Sequence, residues 1–141
     1  MAETSLPVRH LYTITLDLGG PPITVPDGPQ GTRMMVGVTG GHFEGERLKG
    51  TVAEPGGDWV TRRADGSLKI DVRVILRTHD DAHILVTYNG IGTVAEGQLT
   101  TRCAPLFETG DERYAWLNRI QAVGLGHMDG TNVVYEIYEL L

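Results

Sequence analysis

Two short stretches hold the side chains best suited to acid–base work. Asp58 and Trp59 are adjacent, and Asp71 and Arg73 follow within a run of strict alternation from Leu68 to Arg77. Side chains alternate between faces along an extended strand, so Asp71 and Arg73 share a face roughly 7 Å apart. In a cavity that excludes water, a carboxylate can act as a base and a guanidinium can orient or stabilise an anionic oxygen. An aromatic ring beside them gives a flat ligand a wall to lie against. A plainer reading competes: alternating strands usually turn charges to solvent, where Asp71 and Arg73 would form a weak surface pair and Trp59 would pack at a rim. The chemical reading requires this face to line a cavity. No complete catalytic signature accompanies it.

Other reactive side chains are scattered. His42 follows Gly40-Gly41 and is a candidate proton-transfer residue, because an imidazole titrates near neutrality; a satisfied histidine at a strand end is the alternative. Of the five histidines, His79 and His83 flank a turn, and His10, His42 and His127 are isolated. Neither His-Glu-x-x-His nor a His-x-His pair followed by Glu occurs, so no metal is expected. Gly-x-Ser-x-Gly is also missing. Cys103 follows Arg102 without a placed base, which favours a buried structural thiol. The glycines make no phosphate-binding loop, so no nucleotide cofactor is expected, and none of another kind is implied. In Tyr114-Ala-Trp116-Leu-Asn118, a strand would put Tyr114, Trp116 and Asn118 on one face, as a ligand wall or as ordinary core. Tyr88, on the same side as Val86, carries the same two readings.

The elements that must position these residues read as all-β. The chain has 141 residues, suited to a single domain (1–141, with 1–7 as a flexible tail), and its 19 glycines fall between runs rich in Val, Ile, Leu, Thr and Tyr. Strands are predicted over Val8–Leu18, Thr32–Val38, Leu48–Glu54, Leu68–Arg77, His83–Gly92, Gly97–Phe107 and Asn132–Leu141. Gly19-Gly20-Pro21-Pro22 ends the first strand and the segment from there to Gly31 reads as loop; Gly40-Gly41 reads as a strand break and Pro55-Gly56-Gly57 as a turn. Residues 114–124 fit helix or strand equally well. Eight or nine strands with short connections must dispose of their exposed edges. A closed antiparallel barrel does so and leaves room for side chains or one small ligand; a sandwich is the competing architecture.

A formal net charge of −6 argues against a nucleic-acid partner, since phosphate binding needs clustered cations. There is no apolar run of about twenty residues and no signal-peptide pattern, and the one cysteine cannot form an internal disulfide. No membrane association and a cytoplasmic location are the expectations.

Taken in order, five motifs resemble a known family: Thr39-Gly-Gly-His-Phe-Glu-Gly45, Gly57-Asp-Trp59, Asp65-Gly-x-Leu-x-Ile-Asp-x-Arg73, Arg102-x-Ala-Pro-x-Phe-Glu-Thr-Gly110 and Tyr114-x-Trp-Leu-Asn118. The chain is similar, from about Tyr12 to Glu139, to the bacterial and fungal family termed domain of unknown function 3237. Asp80-Asp81 departs from the Asp-Gly usual at that hairpin. The resemblance implies a closed antiparallel β-barrel of the calycin or allene-oxide-cyclase type, often oligomeric, so a homo-oligomer and a small-molecule ligand are the expected partners. It also implies that residues 114–124 are mostly strand. The matching polar and aromatic residues give Arg33, His42, Asp58, Trp59, Asp71, Arg73, Tyr88, Trp116 and Asn118 as cavity candidates. The function expected from them is that of a cofactor-independent isomerase, cyclase or lyase/hydratase for a partly apolar or aromatic carbonyl compound. Asp58 or Asp71 would be its base, Arg73 or Arg33 its anion stabiliser, and Trp59 and Trp116 its walls. A non-catalytic, lipocalin-like binding barrel is the alternative, and a barrel filled by its own side chains a third reading.

Overall fold

The computed structural model describes residues 1–141, and alternating patterns in the sequence become its strands. These are β1 (Val8–Leu18), β2 (Ile23–Gly28), β3 (Gly31–Glu44), β4 (Lys49–Arg62), β5 (Leu68–Thr78), β6 (His83–Ala95), β7 (Gln98–Cys103), β8 (Leu106–Glu108), β9 (Ala122–Asp129) and β10 (Asn132–Leu140). All pairings are antiparallel, in the order β1-β10-β9-β7-β6-β5-β4-β3, and a β1–β3 ladder joins the ends. The result is a closed eight-stranded barrel, with β2 added along β3 and β8 along β6. Closure rules out the sandwich and leaves no long edge unpaired. Residues 1–7 are exposed and without regular structure. No helix is long and apolar enough to cross a membrane.

Five segments differ from expectation, each for a local reason. The strand expected over Gly97–Phe107 is divided at Ala104-Pro105 into β7, which pairs with β6 and β9, and β8, which pairs with β6 alone. Residues 23–28 form β2, because Ile23, Thr24 and Val25 pair with Met35, Met34 and Arg33. Gly40-Gly41 bends β3 without ending it. Gly41 has φ +142°, and a Cβ there would stand 2.1 Å from the Thr15 carbonyl oxygen, so glycine alone lets β3 turn in against β1. Pro55-Gly56-Gly57 is a bulge within β4: the β4–β5 register shifts between Ala53 and Gly57, and the strand continues. Residues 112–119 form a 3-10 helix, not a strand, and the strand follows as β9. Asp111 caps the helix by accepting from the Arg113 N–H. Asn118 fixes its far end through bonds of 2.8 and 2.9 Å with the Thr109 N–H and carbonyl.

The two barrel ends are filled differently. Inward residues at one end make a solid plug in which Tyr12 meets Phe43 and Phe107 edge to face, with ring centroids 5.7 and 6.2 Å apart. The 3-10 helix adds Tyr114 and Leu117 to this core. Leu117 is 0% exposed. Leu117→Ala should therefore cost about 2–5 kcal/mol of unfolding free energy, read from urea denaturation, because a cavity would open in the plug.

Candidate active site

Toward the other end the inward residues leave a cavity of about 150 Å³, and ten of its thirteen lining residues are hydrophobic. Its walls come from strand ends around the ring: Leu18 from β1, Met34 and Val36 from β3, Val60 from β4, Leu68 and Ile70 from β5, Leu99 from β7, Met128 from β9 and Val133 from β10. Its three polar lining residues are Asp58, Thr101 and His127, which is otherwise exposed on β9, and the phenol of Tyr135 adds a hydroxyl. A cavity near 150 Å³ with apolar walls has about the volume that takes up a benzene-sized molecule.

Asp58 enters this space because β4 resumes regular pairing after its bulge with Asp58 between Val36 and Val72. Both are inward neighbours, so the carboxylate shares their side of the wall. Its Oδ1 accepts a hydrogen bond of 3.1 Å from the Asp71 backbone N–H. Burial among apolar walls raises the Asp58 carboxyl from 3.8 to about 6; the Asp71 N–H pulls it down, and the Asp71 charge adds to the rise. Tyr88 and Tyr135 meet edge to face nearby, at 5.4 Å between centroids. Both phenols are pushed upward, chiefly by burial, and the Asp58 charge contributes, so they stay protonated.

The remaining sequence candidates lie elsewhere. On β5 the buried residues are Ile70, Val72, Val74, Leu76 and Thr78, whereas Asp71 and Arg73 stand on the outer face. Asp71 serves the site through its main chain; exposed Arg73 lies opposite Gly57. Arg33 is exposed on the outside of β3, and Trp59 points outward at 56% exposure. His42 is exposed in an open surface groove with Lys49, Arg77 and His79. Trp116 lies on the 3-10 helix at the plugged end, its ring covered by the Arg47 guanidinium at 3.6 Å. Asn118 is occupied by Thr109. Cys103 is buried, and burial pushes its thiol up to about 12, which leaves it inert as a nucleophile. Asp58 is thus the one candidate of the sequence that lines the cavity, with Tyr88 buried behind it against Tyr135. Thr101 and Tyr135 are not singled out by motif, but strand parity marks them: Thr101 alternates in step with Cys103, and Tyr135 with Ile137.

Fold and site together define a closed β-barrel with a small apolar lumen and one carboxyl group inside it. The chain belongs to the family described as protein of unknown function DUF3237, whose model matches residues 6–140. It is 39% identical over 88 residues to the hydroalkoxylation enzyme phnH of Penicillium herquei, a match covering 62% of this chain and 52% of that enzyme. The aligned segment therefore spans about half the length of this relative. A UPF0311 protein of Rhodopseudomonas palustris is 25% identical over 151 residues, covering 97% of this chain and 98% of its own. Among solved structures, a β-barrel-like protein of Acinetobacter baumannii superposes with TM-score 0.90 at 28% identity, covering 99% of each chain. An enzyme from Penicillium herquei superposes with TM-score 0.73 at 26% identity, covering 100% of this chain and 98% of its own.

The elevated Asp58 carboxyl has a consequence for stability. Between the ordinary aspartate value and about 6, the folded chain holds a proton that the unfolded chain has released. Stability contributed by this group is complete below about pH 4 and is lost as pH rises through about 6. Asp58→Asn keeps an acceptor for the Asp71 N–H and has no charge to bury. Its melting temperature should exceed that of wild type at pH 8, and the gap should close by pH 4. A gap independent of pH would show that Asp58 is not desolvated.

Proposed function

We propose that this protein is a cofactor-independent enzyme acting on a small, partly apolar or aromatic carbonyl compound by carboxylate acid–base chemistry. Isomerisation, cyclisation and lyase/hydratase reactions form the class. The observation that carries the reading is Asp58, a carboxyl raised to about 6 inside an apolar cavity of ligand size. A base poised near the working pH combines a populated carboxylate with useful proton affinity. Similarity to a protein described as a hydroalkoxylation enzyme supports ring closure as the first case to test.

In such a step, Asp58 takes the proton from a substrate hydroxyl as its oxygen bonds to the β-carbon of an enone. The carbon–carbon π pair moves toward the carbonyl as an enolate, and Asp58 returns the proton to the α-carbon. One O–H and one π bond are lost, one C–O and one C–H bond are made, and the carboxylate is regenerated. No oxidant, reductant or second substrate is needed. Apolar walls strengthen the reaction by keeping bulk water from the enolate.

Activity can be sought with small hydroxy-enones, following ring closure by chromatography. For wild type, kcat/KM should rise through about pH 6 and level off, since the carboxylate form is the base. Asp58→Asn should lower kcat about 10²–10⁴-fold while the fold persists. Wild-type turnover by that variant would rule out the mechanism.

The mostly hydrophobic lining favours a second reading, a barrel that binds an apolar ligand without transforming it. Ligands that stabilise wild type and the Asp58→Asn variant equally, and are recovered unchanged, would select that reading.

A further inference from the structure

Thr101 is 3% exposed, lines the cavity, and its Oγ1 is buried without a protein hydrogen bond of ordinary geometry, the Tyr135 phenol lying near enough to feel the hydroxyl without closing such a bond. A buried hydroxyl without a partner is unfavourable, and in a native protein it calls for an explanation. Its surroundings suggest one. Thr101 pairs across the ladder with Gly126, and Gly126 with Tyr135. A Cβ at Gly126 would stand 2.3 Å from Thr101 Oγ1 and 2.4 Å from Tyr135 Cε1, so glycine lets the Tyr135 ring edge lie beside the hydroxyl. Around the ring, β7 is separated from β4 by β5 and β6, which puts Thr101 on the wall across the lumen from Asp58. One wall thus offers a carboxyl, and the other a hydroxyl that can donate or accept.

We infer that Thr101 is a specificity-determining residue that hydrogen-bonds a ring oxygen substituent of the substrate, selecting compact monocyclic phenols or enones over hydrocarbon rings of the same size. The inference rests on the reading of this cavity as the substrate site, and it narrows the substrate class there. An oxygen-bearing ring would satisfy the hydroxyl and direct the opposite edge of the ring toward Asp58. A hydrocarbon ring would fill the same volume and leave Thr101 Oγ1 unpaired. Discrimination arises from that unpaired group, since a site containing a buried polar atom rejects ligands that cannot meet it.

Equilibrium binding of phenol, cyclohex-2-enone and toluene to the full chain tests this by isothermal calorimetry. Wild type should prefer the two oxygenated rings over toluene by about tenfold, the scale of one neutral hydrogen bond. Thr101→Val, which preserves shape, should lose that preference without weakening toluene, and Thr101→Ser should restore it. If the valine variant does not fold, Thr101→Ala takes its place. A wild type that binds none of the rings or does not discriminate among them overturns the inference, as does a valine variant that discriminates like wild type. Turnover plays no part in this measurement. A catalytically silent Asp58 with an intact Thr101 preference would therefore sink the acid–base reading alone, and the reverse result would sink this one alone.

Discussion

Closing the sheet on itself is the constraint from which the rest of the structure follows. Eight antiparallel strands can lose their edges only if the first and third meet, and β3 reaches β1 by bending at Gly40-Gly41. The Gly41 main chain approaches Thr15 so closely that any side chain would collide with a carbonyl oxygen. Once the ring is closed, every alternate residue must point into a lumen about wide enough to be filled by side chains. Large aromatics fill one end. Toward the other, Val, Met and Leu side chains leave part of the lumen open.

The opening matters because of what projects into it. An apolar cavity of this size could serve simply as a binding volume, but a carboxylate within it is costly to hold ionised. The fold offsets part of that cost with one main-chain donor, the Asp71 N–H, made available where the β4–β5 ladder passes from Asp58–Val72 to Thr61–Lys69. One donor does not replace water, and the carboxyl is left near 6. Thr101 on the opposite wall is likewise left short of a partner. Two polar groups thus face a small apolar space with fewer protein partners than they could use, and the proposed substrate site rests on that pairing.

Much of the fold was legible in the sequence because alternation is a strong signal. The bounds of β1 match expectation, those of β5 and β10 differ at one end by a single residue, and the five ordered motifs led to the family. The segments that differed are those where glycine, proline and polar caps have more than one use. Gly40-Gly41 and Pro55-Gly56-Gly57 read as breaks, yet in a closed barrel such residues bend a strand without ending it. The helix at 112–119 depends on Asp111 capping its start and Asn118 reaching back to Thr109, contacts that alternation cannot reveal. Site residues were harder. Charge and aromaticity drew attention to Asp71, Arg73, Trp59 and Arg33, which stand on the outside, because sequence parity pairs residues on a face without saying which face is inner. The inner face of β5 carries Ile70, Val72, Val74 and Leu76, with Thr78 as its one buried polar residue, so the hydrophobic parity marks the inside. Asp58 was legible by type, but its position inside depends on the bulge before it. Thr101 and Tyr135 carry no motif, and only the closed lumen brings them together with Asp58.

The proposed chemistry depends on Asp58 being a desolvated carboxyl inside the barrel. Carbon-13 NMR of its side-chain carboxyl, assigned by comparison with Asp58→Asn and followed from pH 3 to 9, measures this directly. A midpoint near 6, displaced further upward when an apolar ring fills the cavity, is the predicted result. A midpoint near 3.8 that ignores ligand would mean a solvated carboxylate and would contradict the account.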